Sequence, residues 1–289
     1  MMVKEFFIKN GYFKLKNISK SLCEESLKII KDNRNFGPNL FLDENEFNKQ
    51  TVRWGTNPKP GRNLTEKLSI DLIIDEIKNE LIEVLGDDFQ IMFPKVICGV
   101  PDVWLPDYVK REIHDNAIPN LGAFIKPEYR DITYFHGIDY HQDIIDYKNR
   151  VTDFITLYVY LDNVTENDAP LYILPETHIQ GCHVFPHDLK TEDNKRYIYN
   201  GTQITDELVL TGDVGTCYFW HSCLLHGTQP TKNSKERISL RFLISKKRSL
   251  IDLCNDVIEG DLKLNITRVD VDENHVPIIK GNVLKNKTN

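Results

Sequence analysis

From about Tyr134 onward the chain breaks into short runs rich in Val, Ile, Thr, Tyr and Phe, each stopped within a few residues by Gly, Pro, Asn or Asp. That texture limits the fold more than any other feature, because strands this short cannot bury a face alone and must be laid against others in a sandwich or barrel. Val151 to Leu161, Leu171 to Leu174, Glu207 to Thr211, Val214 to Trp220 and Arg237 to Ser245 are the expected strands. Asn167-Asp168-Ala169-Pro170, Thr211-Gly212-Asp213 and Thr231-Lys232-Asn233-Ser234 are the expected turns. The first third reads differently. Apolar residues recur at helical spacing over about Ser19 to Asp32, with Ser19 or Ser21 as cap, and over about Leu64 to Leu85, where Leu68, Leu72, Ile73, Ile77, Leu81 and Leu85 share a face. Phe89 to Val100 reads as a strand whose Pro94 calls for an edge or a bulge. The expectation is one mainly β domain over residues 1–289, with a helical N-terminal part at about 1–130 packed on a β core at about 131–250.

Charge narrows the partners. With 36 Lys+Arg against 43 Asp+Glu the net charge is −7, which gives no general attraction to phosphate backbones, so nucleic acid is set aside. The N-terminus has no apolar signal core, and no stretch approaches the roughly 18 apolar residues needed to cross a bilayer, so no membrane partner and a cytoplasmic location are expected. Six scattered cysteines without a C-x-x-C pair read as buried, reduced thiols. The polar end at 285–289 is expected to fray.

Nine histidines raise the question of a metal, and His141-Gln142-Asp143 answers it best. Positions i and i+2 of an extended chain project to the same side, so the imidazole and the carboxylate can grip one ion. Two further histidines stand in Trp220-His221-Ser222-Cys223-Leu224-Leu225-His226-Gly227. Two histidines and one carboxylate make the facial set of non-haem Fe(II) oxygenases, which leaves three coordination positions open. Eleven residues after His226, Arg237-Ile238-Ser239 opens a strand in which Arg237, Ser239 and Arg241 share one face and Ile238, Leu240, Phe242 and Ile244 the other. The polar face is either solvent-exposed or an anion seat, where a guanidinium forks onto a carboxylate and a hydroxyl donates beside it.

The stretch from His141 to Ser245 resembles the phytanoyl-CoA dioxygenase-like family of Fe(II)- and 2-oxoglutarate-dependent oxygenases. His141-Gln142-Asp143 resembles its H-x-D, and Leu157-Tyr158-Val159-Tyr160-Leu161-Asp162-Asn163 the strand that follows. Asp168 to His178 is similar to the family's N-G-x-L-x-x-x-P-G-S-H segment, departing at Ala169, Glu176 and Thr177. Gly212-Asp213-Val214 and Leu224-Leu225-His226-Gly227 resemble the turn and strand leading to the distal ligand, and Arg237-x-Ser239 the pair that holds the far carboxylate of 2-oxoglutarate. Phe7-Ile8-Lys9-Asn10-Gly11-Tyr12 resembles the opening strand.

The resemblance implies a double-stranded β-helix, a cupin-like jelly roll. It implies Fe(II) held by His141, Asp143 and His226, with 2-oxoglutarate and O2 as cosubstrates, and with Arg237 and Ser239 holding the cosubstrate's far carboxylate; Gln142, by its position between the ligands, either hydrogen-bonds the cosubstrate or faces solvent. The implied reaction oxidises a C–H of a small-molecule substrate, with succinate and CO2 released. Related halogenases carry a small residue where Asp143 stands, so hydroxylation is expected over halogenation, while desaturation, ring closure and epimerisation stay open because they depend on substrate geometry. Oligomeric state leaves no trace in the sequence.

Competing readings attach to several residues. His178, His183 and His187, with Cys182 among them, have zinc-like spacing but no partner C-x-x-C. His178 matches a histidine that is structural in the family. His221 and His226, read as one strand, face opposite ways, and the family order selects His226. His136 can line the substrate pocket, whereas His114 and His275 read as ordinary histidines. Lys95 stands where related enzymes sometimes contact 2-oxoglutarate, though an exposed lysine is the simpler reading. Arg241 can reach substrate or pair with a surface acid. Arg53 and Trp54 can belong to a loop over the pocket, and Lys246-Lys247-Arg248 reads as a solvated strand end. The rival class is a non-catalytic or cupin-type jelly roll that binds a metal or a sugar, and Arg237 with Ser239 separates the two readings.

Overall fold

The computed structural model describes residues 3–50, 64–114, 116–143, 154–183, 187–193 and 195–246. Arg53, Trp54, Lys247, Arg248, Cys254, His275 and residues 285–289 lie outside them. In chain order the elements are α1 (Val3–Asn10), β1 (Tyr12–Lys14), α2 (Lys20–Asn33), α3 (Glu44–Lys49), α4 (Ile70–Leu85), β2 (Phe89–Gly99) and α5 (Asp107–Ile113). Then come β3 (Ile132–Phe135), β4 (Ile138–His141), β5 (Ile155–Tyr160), β6 (Leu171–Ile173), β7 (Leu189–Asp193), β8 (Arg196–Tyr199) and β9 (Gln203–Asp206). The last are β10 (Leu208–Leu210), β11 (Cys217–His221), β12 (His226–Thr228) and β13 (Arg237–Lys246).

The strands form a mixed six-stranded sheet, β1-β11-β5-β13-β2-β3, and a four-stranded sheet, β10-β6-β12-β4. Neither closes on itself. Each face of the larger sheet is covered by something different. Val96, Cys98, Leu157, Val159, Phe219 and Leu240 point outward to Ile30 of α2 and to Ile73, Ile77 and Leu81 of α4. Ile97, Tyr158, Tyr160, Tyr218 and Trp220 point the other way and meet Leu171, Ile173 and Leu210 of the smaller sheet. Burial on both faces explains why β5 reads Ile-Thr-Leu-Tyr-Val-Tyr with no polar alternation. This two-sheet sandwich with helices on one side is the jelly roll that the sequence resemblance implied.

Three expectations are corrected. Phe7 to Asn10 is the end of α1, with Gly11 at φ +78 turning the chain into β1, so only Tyr12 of that segment is strand. The long helix over Leu64 to Leu85 is a 3-10 turn at Thr65–Lys67 followed by α4, and Leu72 is 57% exposed rather than on the packed face. A third sheet, β7-β8-β9, stands where the sequence pattern marks no strand between Leu174 and Glu207. Pro94 behaves as expected: the β2–β13 ladder shifts register between Lys95 and Met92, and β3 pairs only with Val96 to Gly99, so the proline disrupts no ladder on that side.

Among the described residues no helix is long and apolar enough to cross a membrane.

Candidate metal centre and anion seat

The antiparallel pairing of β12 with β4 sets His226 directly opposite His141, at the last rung of the ladder. Their ring centroids are 4.3 Å apart. Gly227 permits the approach, since a Cβ there would lie 2.6 Å from the carbonyl oxygen of Ile138. His141 Nδ1 is 2.9 Å from the carbonyl of Asp139, and His226 Nδ1 is 2.9 Å from the carbonyl of Leu224. A carbonyl only accepts, so in each neutral ring Nδ1 carries the proton and Nε2 is the unprotonated nitrogen that can ligate a metal.

Asp143 completes the set. Its Oδ1 lies 3.6 Å from His226 Nε2, and the three ligand atoms all fall within 4.8 Å of one another. The carboxylate is buried, 3% exposed, and is held by donors from three strands. Oδ2 accepts from Thr156 Oγ1 at 2.5 Å and from Trp220 Nε1 at 2.9 Å; Oδ1 accepts from Arg241 Nη2 at 2.7 Å. Thr156 and Trp220 are cross-strand partners on β5 and β11, which is why both reach one oxygen. Burial alone would raise the Asp143 pKa, but the Arg241 guanidinium, helped by His226 and His141, holds it well below the usual carboxylate range. The site therefore presents two imidazole nitrogens and one anionic oxygen, the donor set that suits a divalent first-row metal. Among the described residues no other group of His, Cys, Asp and Glu gathers its ligand atoms this way.

The expected anion seat lies on the same side of the larger sheet. Arg237 is 4% exposed and Ser239 fully buried, so this face of β13 is not solvated. Arg237 Nε and Nη1 and Ser239 Oγ have no hydrogen-bond partner among the described residues. The Arg237 Cζ sits 5.5 Å from the centroid of the Tyr158 ring, a contact that leaves those donors uncompensated. Two residues that sequence reasoning missed add to the seat: Asn120 Nδ2 and Thr133 Oγ1 are likewise buried and unpartnered among the described residues. A buried guanidinium left without partners costs stability, and this cluster of orphaned donors fits a bound carboxylate. His141, Asp143, His226, Arg237, Asn120 and Thr133 all line one cavity of about 70 Å³.

Other expectations resolve differently. Gln142 does not line that cavity. Its amide donates to the carbonyls of Gly181 and Cys223 at 2.8 Å each and accepts from the His183 N–H at 2.9 Å, because its side chain leaves the strand on the opposite face from its neighbours. Arg241 pairs with the buried Asp143 rather than with a surface acid. Lys95 is half-buried and lines the cavity, against the simpler reading. His221 ends β11, while His226 begins β12 after a turn, so the two never share a strand; His221 Nδ1 accepts from the Cys223 N–H. His178 is structural: Nε2 donates to the Ile8 carbonyl at 3.0 Å, and burial pushes its pKa down to about 4.

A second cavity, about 470 Å³, adjoins the first through the shared walls Ile138 and Thr228. His136 lines it, held by the Val100 carbonyl at 3.0 Å, with Asp102, Lys110, His114, Asn116 and Asp139 also in its wall.

The family model for phytanoyl-CoA dioxygenase (PhyH) matches residues 122–239, a span that holds His141, Asp143, His226, Arg237 and Ser239. No curated protein matches the chain. Among solved structures, the non-heme alpha ketoglutarate dependent epimerase SnoN from nogalamycin biosynthesis is similar at 11% identity and TM-score 0.51, covering 84% of this chain and 81% of that one. Its complex with Fe3+, alpha ketoglutarate and nogalamycin RO gives TM-score 0.52 at 11% identity, covering 84% and 82%. The non-heme monooxygenase ThoJ, as its nickel complex, gives 0.50 at 12% identity, covering 85% and 78%. At these identities the likeness is one of fold. The family match and the ligand set agree with the cofactors that the sequence resemblance implied: Fe(II), 2-oxoglutarate and O2.

Proposed function

We propose that this chain, whose residues 122–239 match the phytanoyl-CoA dioxygenase family, is an Fe(II)- and 2-oxoglutarate-dependent dioxygenase that hydroxylates an unactivated C–H of a small polar metabolite. His141, Asp143 and His226 hold the iron, and Arg237 and Ser239 take the far carboxylate of 2-oxoglutarate. Iron with these cosubstrates supplies oxidising power through decarboxylation to succinate and CO2; the chain's own residues position, charge and shield. The Asp139 and Leu224 carbonyls fix both imidazole tautomers. Arg241, Thr156 and Trp220 fix the carboxylate and keep it ionised. Tyr158, Trp220, Leu171 and Phe135 wall the cavity and keep bulk water from the reacting atoms.

One observation carries the reading: three convergent metal-ligand atoms and a buried guanidinium whose Nε and Nη1 have no hydrogen-bond partner among the described residues face a single cavity. A jelly roll that binds only a metal has no use for that guanidinium. The adjoining cavity, with polar groups from Asp102, Asn116, His136 and Asp139, supports a small polar substrate. Asp143 supports hydroxylation over halogenation because its oxygen occupies the coordination position that a halide would need.

Anaerobic addition of Fe(II) and 2-oxoglutarate is expected to give a weak visible charge-transfer band that Asp143→Ala or His226→Ala abolishes. Absence of the band at saturation overturns the reading. Succinate release across a metabolite panel, corrected for uncoupled turnover, then identifies the substrate.

A further inference from the structure

Two cysteines lie beside the metal centre, and the proposed reaction does not use them. Cys182 follows the 3-10 turn Thr177–Gln180, and Cys223 sits in the turn between β11 and β12, three residues before His226. Both are buried and neither is in a disulfide. They are 41 residues apart in sequence, yet their sulfurs are 2.8 Å apart. Gln142 holds this encounter in place. Its one amide group binds the carbonyl of Gly181, the carbonyl of Cys223 and the N–H of His183, so the residues flanking Cys182 and Cys223 itself are tied to a single side chain. That side chain is fully buried between two metal ligands. The contact therefore belongs to the scaffold, not to a mobile surface.

We propose that Cys182 and Cys223 are a modification site: a reversible intramolecular disulfide that forms under peroxide and ties the segment after Gln180 to the turn that delivers His226. One thiol attacks hydrogen peroxide, becomes a sulfenic acid and releases water. The second thiol then displaces that hydroxyl, forming the S–S bond and releasing a second water. The two sulfurs are oxidised by two electrons in total, and the peroxide is reduced by the same two. A bond length of about 2.05 Å asks the sulfurs to close by less than about 1 Å, well within side-chain adjustment.

The test uses the full chain, treated with hydrogen peroxide, alkylated under denaturing conditions and mapped by mass spectrometry. The expected result is a linked peptide pair joining Cys182 to Cys223, loss of two alkylatable thiols, and reversal by dithiothreitol. Cys182→Ser and Cys223→Ser, which keep the side-chain size, should each abolish the link. Because the crosslink shortens the free interval of the unfolded chain, the oxidised protein should melt about 5–10 °C above the reduced one. Both thiols staying alkylatable, pairing with Cys254 or with a second chain instead, or a lower melting temperature on oxidation would each overturn the proposal. The thiol count reads the same whether or not the iron assignment holds, so failure of one is distinguishable from failure of the other.

Discussion

Replacing Arg237 with Met tests the anion seat from two directions. In the ligand-free protein this guanidinium is 4% exposed, and its Nε and Nη1 donate to nothing among the described residues. Met keeps most of the stem and removes the charge. Relief of an uncompensated buried charge stabilises the fold, by about 1–2 kcal/mol here, while loss of the contact over the Tyr158 ring costs about 1 kcal/mol. Urea unfolding of the ligand-free variant should therefore fall within about 1 kcal/mol of the wild type. With 2-oxoglutarate present the sign reverses. Losing a buried, charge-assisted fork costs about 3 kcal/mol, a roughly 150-fold weaker Kd. At a concentration about 100 times the wild-type Kd, the wild type gains about 2.7 kcal/mol from the ligand and the variant only about 0.3 kcal/mol. Anaerobic thermal-shift titrations with Fe(II) measure both. A variant that loses several kcal/mol without ligand, or one that keeps its 2-oxoglutarate shift, would refute the reasoning.

Arg241→Met should do the opposite, because it strips the Asp143 carboxylate of the guanidinium that donates to Oδ1; the metal-free protein should lose about 3–5 kcal/mol, and an added divalent ion, supplying the missing charge, should restore more stability to the variant than to the wild type. Equal metal shifts would sink this. Gly227→Ala drives a Cβ to 2.6 Å from the Ile138 carbonyl, so a loss of about 1–3 kcal/mol together with weaker iron binding is expected in denaturant and chelator titrations; unchanged affinity would show that the β4–β12 approach is not critical. Burial lowers the His178 pKa to about 4 in the fold against an ordinary histidine value of 6.5, so the unfolded chain takes the proton first. Its contribution is full above about pH 6.5 and is lost as pH falls towards about 4, an effect of about 3 kcal/mol. His178→Gln should make the stability profile less steep across that window, where His187 and His221, also lowered by burial, still titrate; an equally steep profile would contradict the assignment.

What the sequence could show was what adjacency and period encode. His141 and Asp143 stand two apart, Arg237, Ser239 and Arg241 alternate with apolar residues, and both patterns survive folding unchanged. The supports of Asp143 depend instead on register. Thr156 and Trp220 become neighbours only because β5 pairs with β11 at that rung, which no local pattern reveals. Asn120 and Thr133 are short polar residues in ordinary surroundings and give no signal until their donors are seen to be unsatisfied. Where the chain resumes as β12 is not marked, because Cys223, Leu224 and Leu225 are all buried and offer no polar break. The β7-β8-β9 sheet escaped for the opposite reason: Lys190 to Asp193 is exposed throughout, so no apolar alternation marks it.

The ladder between β4 and β12 has a consequence for how the centre comes into being. His141 and Asp143 leave the ribosome long before the histidine that faces them, and β6, which flanks β12 on its other side, emerges in between. A nascent chain thus holds an incomplete chelate until His226 emerges, 83 residues after Asp143. Ion capture must wait until the last strands have docked, which makes loading a closing event of assembly rather than a nucleus for it.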